Sequence, residues 1–205
     1  MKTIAFMSQK GGSGKTTLSV HVACAAGEAG ERVVVVDTDP QGSATAWGSA
    51  RTHSVPPVAT VGAGDLDAVL RAAKAEAMTL AVVDTAPHAT AVAAQIARAV
   101  DLVLIPVRPS AFDLAAVGQA VSIVDAAGAR AAFVLSACPF RAPEVAETRA
   151  VLAGYGLPVV DAEITDRRPF ARAVSSGRAV TEFESTGKAA DEIRALWGWI
   201  KGELQ

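Results

Sequence analysis

Hydrophobic residues along the chain fall into short continuous runs, and longer segments with helical periodicity separate these runs. The continuous runs predict buried β-strands at Lys2–Ser8, Arg32–Asp37, Thr79–Asp84, Asp101–Val107, Arg130–Ser136 and, over a shorter length, Leu157–Val160. The periodic segments predict helices at Lys15–Gly30, Asp65–Ala77, Ala89–Ala99, Ala111–Ala127, Pro143–Tyr155, Arg168–Ser175 and Lys188–Glu203. Strands that alternate with helices in this way are typical of a parallel sheet, because each crossover lays a helix on one face of the sheet.

The predicted fold class is therefore α/β, with one doubly wound, mostly parallel sheet and helices on both faces. No repeat or linker divides residues 1–205, so we expect a single domain. The most irregular stretch is Thr38–Gly64, which contains three prolines and four glycines. Since loops beyond the carboxyl ends of the strands hold the ligand in such folds, this stretch is predicted to border a ligand site.

Composition excludes several classes of protein. The chain has 205 residues, 51% of them hydrophobic, yet no apolar run reaches the ~18–20 residues of a membrane span. The net charge of −2 gives no global nucleic-acid signature, although seven arginines accompany five acidic residues between positions 130 and 178. The two cysteines, Cys24 and Cys138, are too few for a disulfide scaffold. They predict packed thiols in a reduced, cytoplasmic protein.

The segment SQKGGSGKTT, residues 8–17, is typical of a phosphate-binding loop between a strand and a helix. Glycines there let backbone N–H groups converge on an anion at a helix N-terminus. We expect Gly11, Gly12, Ser13 and Gly14 to line the nucleotide phosphates. Lys15 would reach the β- and γ-phosphates, Thr16 would ligate Mg²⁺, and Thr17 would contact the α-phosphate. One departure stands out: Gln9 occupies the place of the usual first glycine, and Lys10 follows it.

Carboxylates end two of the predicted strands. VVVVDTDPQGS carries Asp37 and Asp39, and LAVVDTAP carries Asp84. A carboxylate at the tip of a buried strand beside a phosphate loop is suited to hold the water shell of Mg²⁺, and a second can orient an attacking water. Asp residues also cap strands and turns often, but three of them near a glycine loop favour a metal-nucleotide site.

KGGSGKTT resembles the deviant Walker A loop of the ParA/MinD class of dimerising ATPases. The resemblance implies that Lys10 is the signature lysine of that class, which reaches across a dimer to the phosphates of the partner's nucleotide. DTDPQGS and DTAP are similar to further segments of the class. They imply that Asp39 helps to activate water and that Thr16, Asp39 and Asp84 serve the Mg²⁺ ion.

The resemblance extends over nearly the whole chain. DLVLIPVRPSAFD, from Asp101, is similar to a class segment that would place Pro106 and Pro109 beside the nucleotide base. Many members of the class have Asn-Arg at the end of the strand before the adenine site, whereas this chain has Ser136 and Ala137 there, in FVLSACPF. Preference for ATP over GTP is therefore inferred from the class alone.

ITDRRPFARAVSSGRAV, from Ile164, resembles the C-terminal third of the short plasmid-partition ATPases. Because we expect the first strand directly at the N-terminus, the resemblance is to the short subclass, which lacks the helix-turn-helix segment of larger relatives. The resemblance implies an ATP-bound homodimer that binds nucleoid DNA without sequence preference and a small ParB-like adaptor that stimulates slow hydrolysis. The cargo would be a plasmid, a chromosome region or a protein cluster. The arginines on the DNA-facing edge would be Arg167, Arg168, Arg172 and Arg178.

Three rival functions share the same loop. A membrane-surface ATPase of the MinD type needs a basic amphipathic tail, but the stripe of Ile193, Leu196, Trp197, Ile200 and Leu204 has few basic neighbours and favours core packing. An iron–sulfur or metal-insertion NTPase needs cysteines that bridge a dimer. A small-molecule ligase or kinase needs a substrate pocket, which the sequence does not identify.

Overall fold

The computed structural model describes residues 1–87 and 90–205. Within them the strands are β1 (Lys2–Phe6), β2 (Val33–Asp37), β3 (Val58–Thr60), β4 (Leu80–Asp84), β5 (Leu102–Val107) and β6 (Ala131–Leu135). The helices are α1 (Lys15–Glu28), α2 (Ser43–Ser49), α3 (Leu66–Ala75), α4 (Thr90–Ala99), α5 (Ala111–Ala127), α6 (Pro143–Ala153), α7 (Arg168–Ser175), α8 (Val180–Phe183) and α9 (Lys188–Glu203). A short 3₁₀ turn at Ala63–Asp65 precedes α3.

In the described part of the chain these strands form one six-stranded sheet in the order β3-β2-β4-β1-β5-β6. Each pairing within the sheet is parallel. The register aligns Asp37 with Asp84 and Phe6 with Asp84. The carboxyl ends of β1, β2 and β4 therefore meet at one edge, where the glycine loop leaves β1.

Alternate residues of each central strand pack on opposite faces of the sheet. Ile4 and Phe6 of β1 belong to a core with α1, α2, α7, α8 and α9. Ala5 and Met7 belong to a second core with α3, α4, α5 and α6. Both faces are covered, which explains why the strands are apolar throughout rather than alternating. The predicted α/β fold, with a doubly wound parallel sheet, is confirmed.

The predicted strand Leu157–Val160 is wrong. Only an isolated parallel bridge forms there, between Val159 and Phe133. The N–H of Phe133 donates to the carbonyl of Pro158 at 2.8 Å, and the N–H of Val160 donates to the carbonyl of Phe133 at 2.9 Å. Pro158 has no N–H of its own to extend the pairing, so this segment ends as one bridge at the sheet edge.

The irregular stretch 38–64 contains two elements that the pattern did not predict, α2 and β3. Helix α8, after the predicted α7, is also additional. The predicted start of the fourth helix at Ala89 lies outside the described residues. Other boundaries differ by a few residues.

The stripe on the C-terminal helix is core, as predicted. Ile193, Leu196, Trp197, Ile200 and Leu204 are all buried, and α9 packs on α1. Cys24 and Cys138 are buried free thiols, as expected. None of the helices in the described part of the chain has the length and apolarity that a membrane crossing requires.

Candidate functional site

The glycine loop joins β1 to the N-terminus of α1. Gly12 and Gly14 have φ angles of +75° and +102°, a left-handed conformation that glycine adopts without strain. The loop opens on a cavity of about 280 Å³. Its walls are formed by Gly11, Gly12, Gly14, Lys15, Thr16, Thr17, Asp39, Gln41, Ser43, Pro87 and Arg108. Free backbone N–H groups at this helix N-terminus make the cavity suited to an anion.

Lys15 is held in this cavity with little access to water, at 6% exposure. Its Nζ donates to the carbonyl of Lys10 at 3.1 Å. Burial lowers the pKa of Lys15, and the nearby carboxylates of Asp84 and Asp39 only partly oppose this effect. A phosphate would supply the missing anionic partner, so the lysine is placed for phosphate binding.

Asp84 is fully buried at the carboxyl end of β4. Its carboxylate accepts hydrogen bonds from the hydroxyls of Thr16 at 2.6 Å and Ser19 at 3.2 Å. Burial raises the pKa of Asp84 to about 7, because the two hydroxyls only partly compensate for the missing solvent, and Asp37 adds a like charge. A divalent cation beside it would favour the charged carboxylate.

Thr16 and Asp84 are better suited to a magnesium ion than to a metal whose ligands all come from the protein. Among the described residues no cluster of three His, Cys, Asp or Glu side chains could hold a metal by itself. Mg²⁺ commonly keeps several waters and takes only one or two protein oxygens together with substrate phosphates. The hydroxyl of Thr16 already contacts the Asp84 carboxylate next to the cavity, which is the geometry such a site needs.

Asp37, the last residue of β2, and Asp39, two residues later, have different surroundings. Asp37 is fully buried and accepts from both the N–H and the hydroxyl of Thr45, each at 2.8 Å, which anchors the start of α2. Asp39 lies on the wall of the cavity, where its carboxylate accepts only from the N–H of Gln41, at 2.9 Å, among the described residues. Of these two carboxylates, that of Asp39 therefore belongs to the cavity wall.

Lys10 lies at the rim of the loop with its side chain 35% exposed. Its ammonium pairs with the carboxylate of Asp113, at the first turn of α5, and lies 5.9 Å from the ring centre of Phe112. Gln9, at the position of the usual first glycine, is buried, and its side-chain amide has no hydrogen-bond partner among the described residues.

A second cavity, of about 380 Å³, adjoins the loop. Gly14, Thr17 and Arg108 belong to the walls of both cavities. Ser136 lies on the wall of the second cavity, and its hydroxyl donates to the carbonyl of Ser13 at 2.7 Å, so the end of β6 supports the phosphate loop. The hydroxyl of Ser13 itself is buried without a partner in the part of the chain that the structure describes.

The two prolines predicted to lie beside the nucleotide base are not on the walls of these two cavities. Pro106 is buried within β5, where it is aligned with Val134, and Pro109 is in the following loop. Neither proline belongs to the wall of either cavity. Arg108, which lies between the two prolines, belongs to the walls of both cavities. The sequence analysis did not predict Arg108 as a site residue, and it noted Ser136 only as a departure from the class. The signal for Arg108 was its position between the two prolines of the class segment.

The four arginines assigned to DNA differ in their surroundings. Arg167 lies on the wall of the second cavity and pairs with Glu192 at 2.8 Å. Arg178 donates to the carbonyl of Glu182 and lies over the ring of Phe183. Arg168 and Arg172 are exposed, and Arg172 also lies over Phe183, 5.5 Å from its ring centre. The structure thus leaves Arg168 and Arg172 the most accessible of the four.

The sequence of this chain matches known proteins over nearly its full length. Residues 4–180 match the CobQ/CobB/MinD/ParA nucleotide-binding domain family. The chain is 31% identical over 204 residues to the maintenance of carboxysome distribution protein A of Halothiobacillus neapolitanus, covering 95% of this chain and 94% of that protein.

Two solved structures show the same fold at low identity. A McdA variant from Cyanothece in complex with ATP has a TM-score of 0.81 and 17% identity, covering 100% of this chain and 96% of that chain. The septum site-determining protein MinD from Pyrococcus horikoshii in complex with Mg-ADP also has a TM-score of 0.81, with 16% identity, covering 97% of this chain and 95% of that chain.

Proposed function

The chain belongs to the CobQ/CobB/MinD/ParA nucleotide-binding family, and from this premise we propose that it is a Mg²⁺-dependent ATPase that dimerises with ATP and positions a cargo on DNA. The observation that carries the proposal is Lys10, a second lysine at the rim of the phosphate loop, whose side chain is 35% exposed. The ParA and MinD members of the family are ATPases.

The nucleotide would lie with its phosphates in the cavity of the glycine loop. Gly11, Gly12, Ser13 and Gly14 would donate backbone N–H groups to them. Lys15 would exchange the carbonyl of Lys10 for the β- and γ-phosphates, and Thr17 would contact the α-phosphate. The base would extend toward the second cavity, where Arg108, between Pro106 and Pro109, lies on the wall.

The Mg²⁺ ion would be held by Thr16 directly and by Asp84 and Asp39 through water. When bound, the ion neutralises charge on the phosphate oxygens. Asp39 would orient the attacking water, since its carboxylate faces the cavity and accepts only one hydrogen bond from the described residues. Asp37 would keep α2, and hence the Asp39 loop, in place.

ATP would close a homodimer in which Lys10 of each subunit reaches the phosphates bound to the other. A cation at the bridging and γ-oxygens would stabilise the charge that develops during phosphoryl transfer. A ParB-like adaptor would then stimulate slow hydrolysis and return the protein to its monomeric form.

The dimer would bind DNA through backbone phosphates, without reading sequence. Arg168 and Arg172 are placed best for this contact, because Arg167 and Arg178 already have partners. The relative that maintains carboxysome distribution supports a protein-cluster cargo, and a chromosome partitioning protein, ParA of Caulobacter vibrioides, supports a DNA cargo. In either case the protein would be nucleoid-associated in the cytoplasm.

DNA binding tests this function. Affinity would be measured for the wild type and for Lys10→Ala with no nucleotide, with ADP and with ATP, over a series of salt concentrations. We expect binding that requires ATP, weakens steeply with salt because counterions are released, and is abolished in the variant. Lys74→Ala is the matched control, since it removes an exposed lysine from α3, on the opposite face of the sheet from α7.

Binding that does not depend on the nucleotide, or no binding at low salt, would contradict the DNA-positioning function and leave the nucleotide site intact. Pelleting with liposomes and turnover in the presence of candidate metabolites would then distinguish a membrane-surface ATPase from a small-molecule ligase or kinase. Iron content after anaerobic purification would test the metal-insertion alternative.

A further inference from the structure

Lys10 is held on its own subunit through both its side chain and its backbone. Its ammonium pairs with Asp113, 103 positions later in the chain. Its carbonyl accepts a hydrogen bond from Nζ of Lys15 at 3.1 Å, and its N–H donates to the hydroxyl of Ser8 at 3.3 Å. The side chain is therefore directed along its own α5 and is not left free in solvent.

Asp113 is a fixed partner for this lysine. Its side chain is only 3% exposed, and the hydroxyl of Ser110 donates to the same carboxylate oxygen at 2.6 Å. Ser110 also caps α5, because its hydroxyl accepts from the N–H of Asp113 at 3.2 Å. The carboxylate is thus locked to the start of α5, and a buried carboxylate without a cation is unfavourable.

We propose that Asp113 is a positioning residue that retains Lys10 on its own subunit until ATP closes the dimer. The inference rests on the proposed function, in which Lys10 acts on the partner's nucleotide. Release of the ammonium from Asp113 then adds an unfavourable term to the free energy of dimerisation. The ion pair therefore weakens the dimer.

The arrangement also links this restraint to the nucleotide. In the structure Lys15 donates a hydrogen bond to the carbonyl of Lys10. When Lys15 turns to the phosphates, that carbonyl is left without its donor, and the pair with Asp113 becomes the main restraint on Lys10. Binding of ATP within one subunit thereby loosens the residue that must reach the other, while Asp113 determines how readily it leaves.

Dimerisation of Asp113→Asn tests the proposal. Asparagine retains a group for Ser110 to donate to but carries no charge. We expect the dimer dissociation constant with a slowly hydrolysed ATP analogue, measured by analytical ultracentrifugation, to fall about 25-fold, because closure releases one partly exposed ion pair, worth about fivefold, in each of the two subunits. Asp125→Asn, which removes an exposed carboxylate from the same helix, is the matched control and leaves the constant unchanged.

A double-mutant cycle separates retention from a structural role of Asp113. If Asp113 acts through Lys10, then Asp113→Asn has no effect on dimerisation in a Lys10→Ala background, measured at the higher protein concentrations at which that variant still dimerises. Equal constants for the wild type and Asp113→Asn, or the same gain with and without Lys10, would overturn the inference and leave the proposed function standing. A wild type that does not dimerise with ATP would overturn both.

Chemical labelling gives a readout that needs no dimer. Without nucleotide, acylation of Lys10 followed by mass spectrometry is expected to be several-fold slower than that of the exposed Lys74 and Lys188, and to accelerate in Asp113→Asn. Asp113→Ser serves the same comparison if the asparagine variant does not fold. A labelling rate of Lys10 that both changes leave unaltered would overturn retention directly.

Discussion

At the scale of single residues, the candidate site combines two charged groups, Lys15 of the phosphate loop and Asp84 of β4, whose charged forms are both disfavoured by burial. Burial lowers the pKa of Lys15 and raises that of Asp84 to about 7. Both shifts have the same cause, since each group lacks the solvent or the counter-charge that its charged form needs. A phosphate beside Lys15 and a cation beside Asp84 would remove both penalties together, which explains why such shifts concentrate where ligands bind.

His21 of α1 is also buried, but unlike Lys15 and Asp84 it packs in the core and does not line the candidate site. Its Nδ1 accepts the N–H of Val180 at 3.1 Å, its ring meets that of Phe170 at 5.2 Å, and it is fully buried. Burial lowers its pKa from 6.5 to about 3. The unfolded chain therefore binds a proton between pH 6.5 and 3 that the folded chain excludes, so stability is full above pH 6.5 and falls as the pH is lowered.

We predict that His21→Asn weakens this acid dependence. The amide oxygen of asparagine lies where Nδ1 lies, so the N–H of Val180 keeps its acceptor, while the titrating group is gone. The wild type should lose about 2 kcal/mol of unfolding free energy between pH 7 and 5 through this residue. Urea unfolding at several pH values measures the slope. His53→Asn, at an exposed position, should retain the wild-type slope, and an equal slope in His21→Asn would refute the assignment.

At the scale of elements, the sequence predicts those strands and helices that carry a clear pattern of buried residues. It does not predict the elements whose formation depends on contacts with distant parts of the chain. β2 contains a run of four valines that is buried on both faces of the sheet. Such a run is typical of a central parallel strand. Helix α2 is short, rich in Ser, Thr and Gly, and anchored by Asp37 through Thr45. Its formation depends on a tertiary contact, so its own pattern carries little signal. Strand β3 has only three residues.

The same distinction holds for the candidate site. The glycine loop, Lys15 and Thr16 are adjacent in sequence, so their spacing alone indicates their chemistry. The pair of Lys10 with Asp113 and the support of Ser13 by Ser136 join residues 103 and 123 positions apart. The sequence alone does not indicate which residues of such distant segments are in contact. The topology creates them, because β5 and β6 follow β1 in the order of the sheet.

Gly177 is where α2 meets the turn between α7 and α8, and it gives a prediction at this scale. A Cβ there would lie 2.7 Å from the backbone nitrogen of Arg51 and would overlap the carbonyl of Ala50, and its φ is +65°. Gly128 has a φ of +64° and no atom within 4 Å of an added Cβ. The two glycines differ mainly in packing, so they form a matched pair.

We predict that Gly177→Ala destabilises the protein by about 2–3 kcal/mol more than Gly128→Ala. Both substitutions impose the left-handed strain, about 1–2 kcal/mol, and only the first adds a clash with backbone. Chemical denaturation of both variants measures the difference. Equal losses of stability in the two variants would show that α2 and the α7–α8 turn can move apart to accommodate the added methyl group at no cost in stability.

At the scale of the whole molecule, α2 connects the ligand edge of the sheet to the arginine-bearing segment. Its start is anchored by Asp37, beside Asp39. At its other end, the indole N–H of Trp47 donates to the carbonyl of Arg178 at 3.2 Å. Arg51 lies over Trp47 and pairs with Glu182 of α8 at 2.8 Å. The loop that faces the nucleotide cavity and the segment that we propose to face DNA are therefore both joined to α2.

This layout makes the DNA contact a property of one face of the molecule. We predict that the double variant Arg168→Gln/Arg172→Gln weakens ATP-dependent DNA binding and lowers the slope of log affinity against log salt by about 0.9 for each DNA phosphate that an arginine no longer neutralises. Arg71→Gln/Arg98→Gln removes the same charge from exposed positions in α3 and α4, on the opposite face. If net charge alone drove binding, the two double variants would behave alike. If the face matters, only the first changes the salt slope, while nucleotide binding stays at the wild-type level in both.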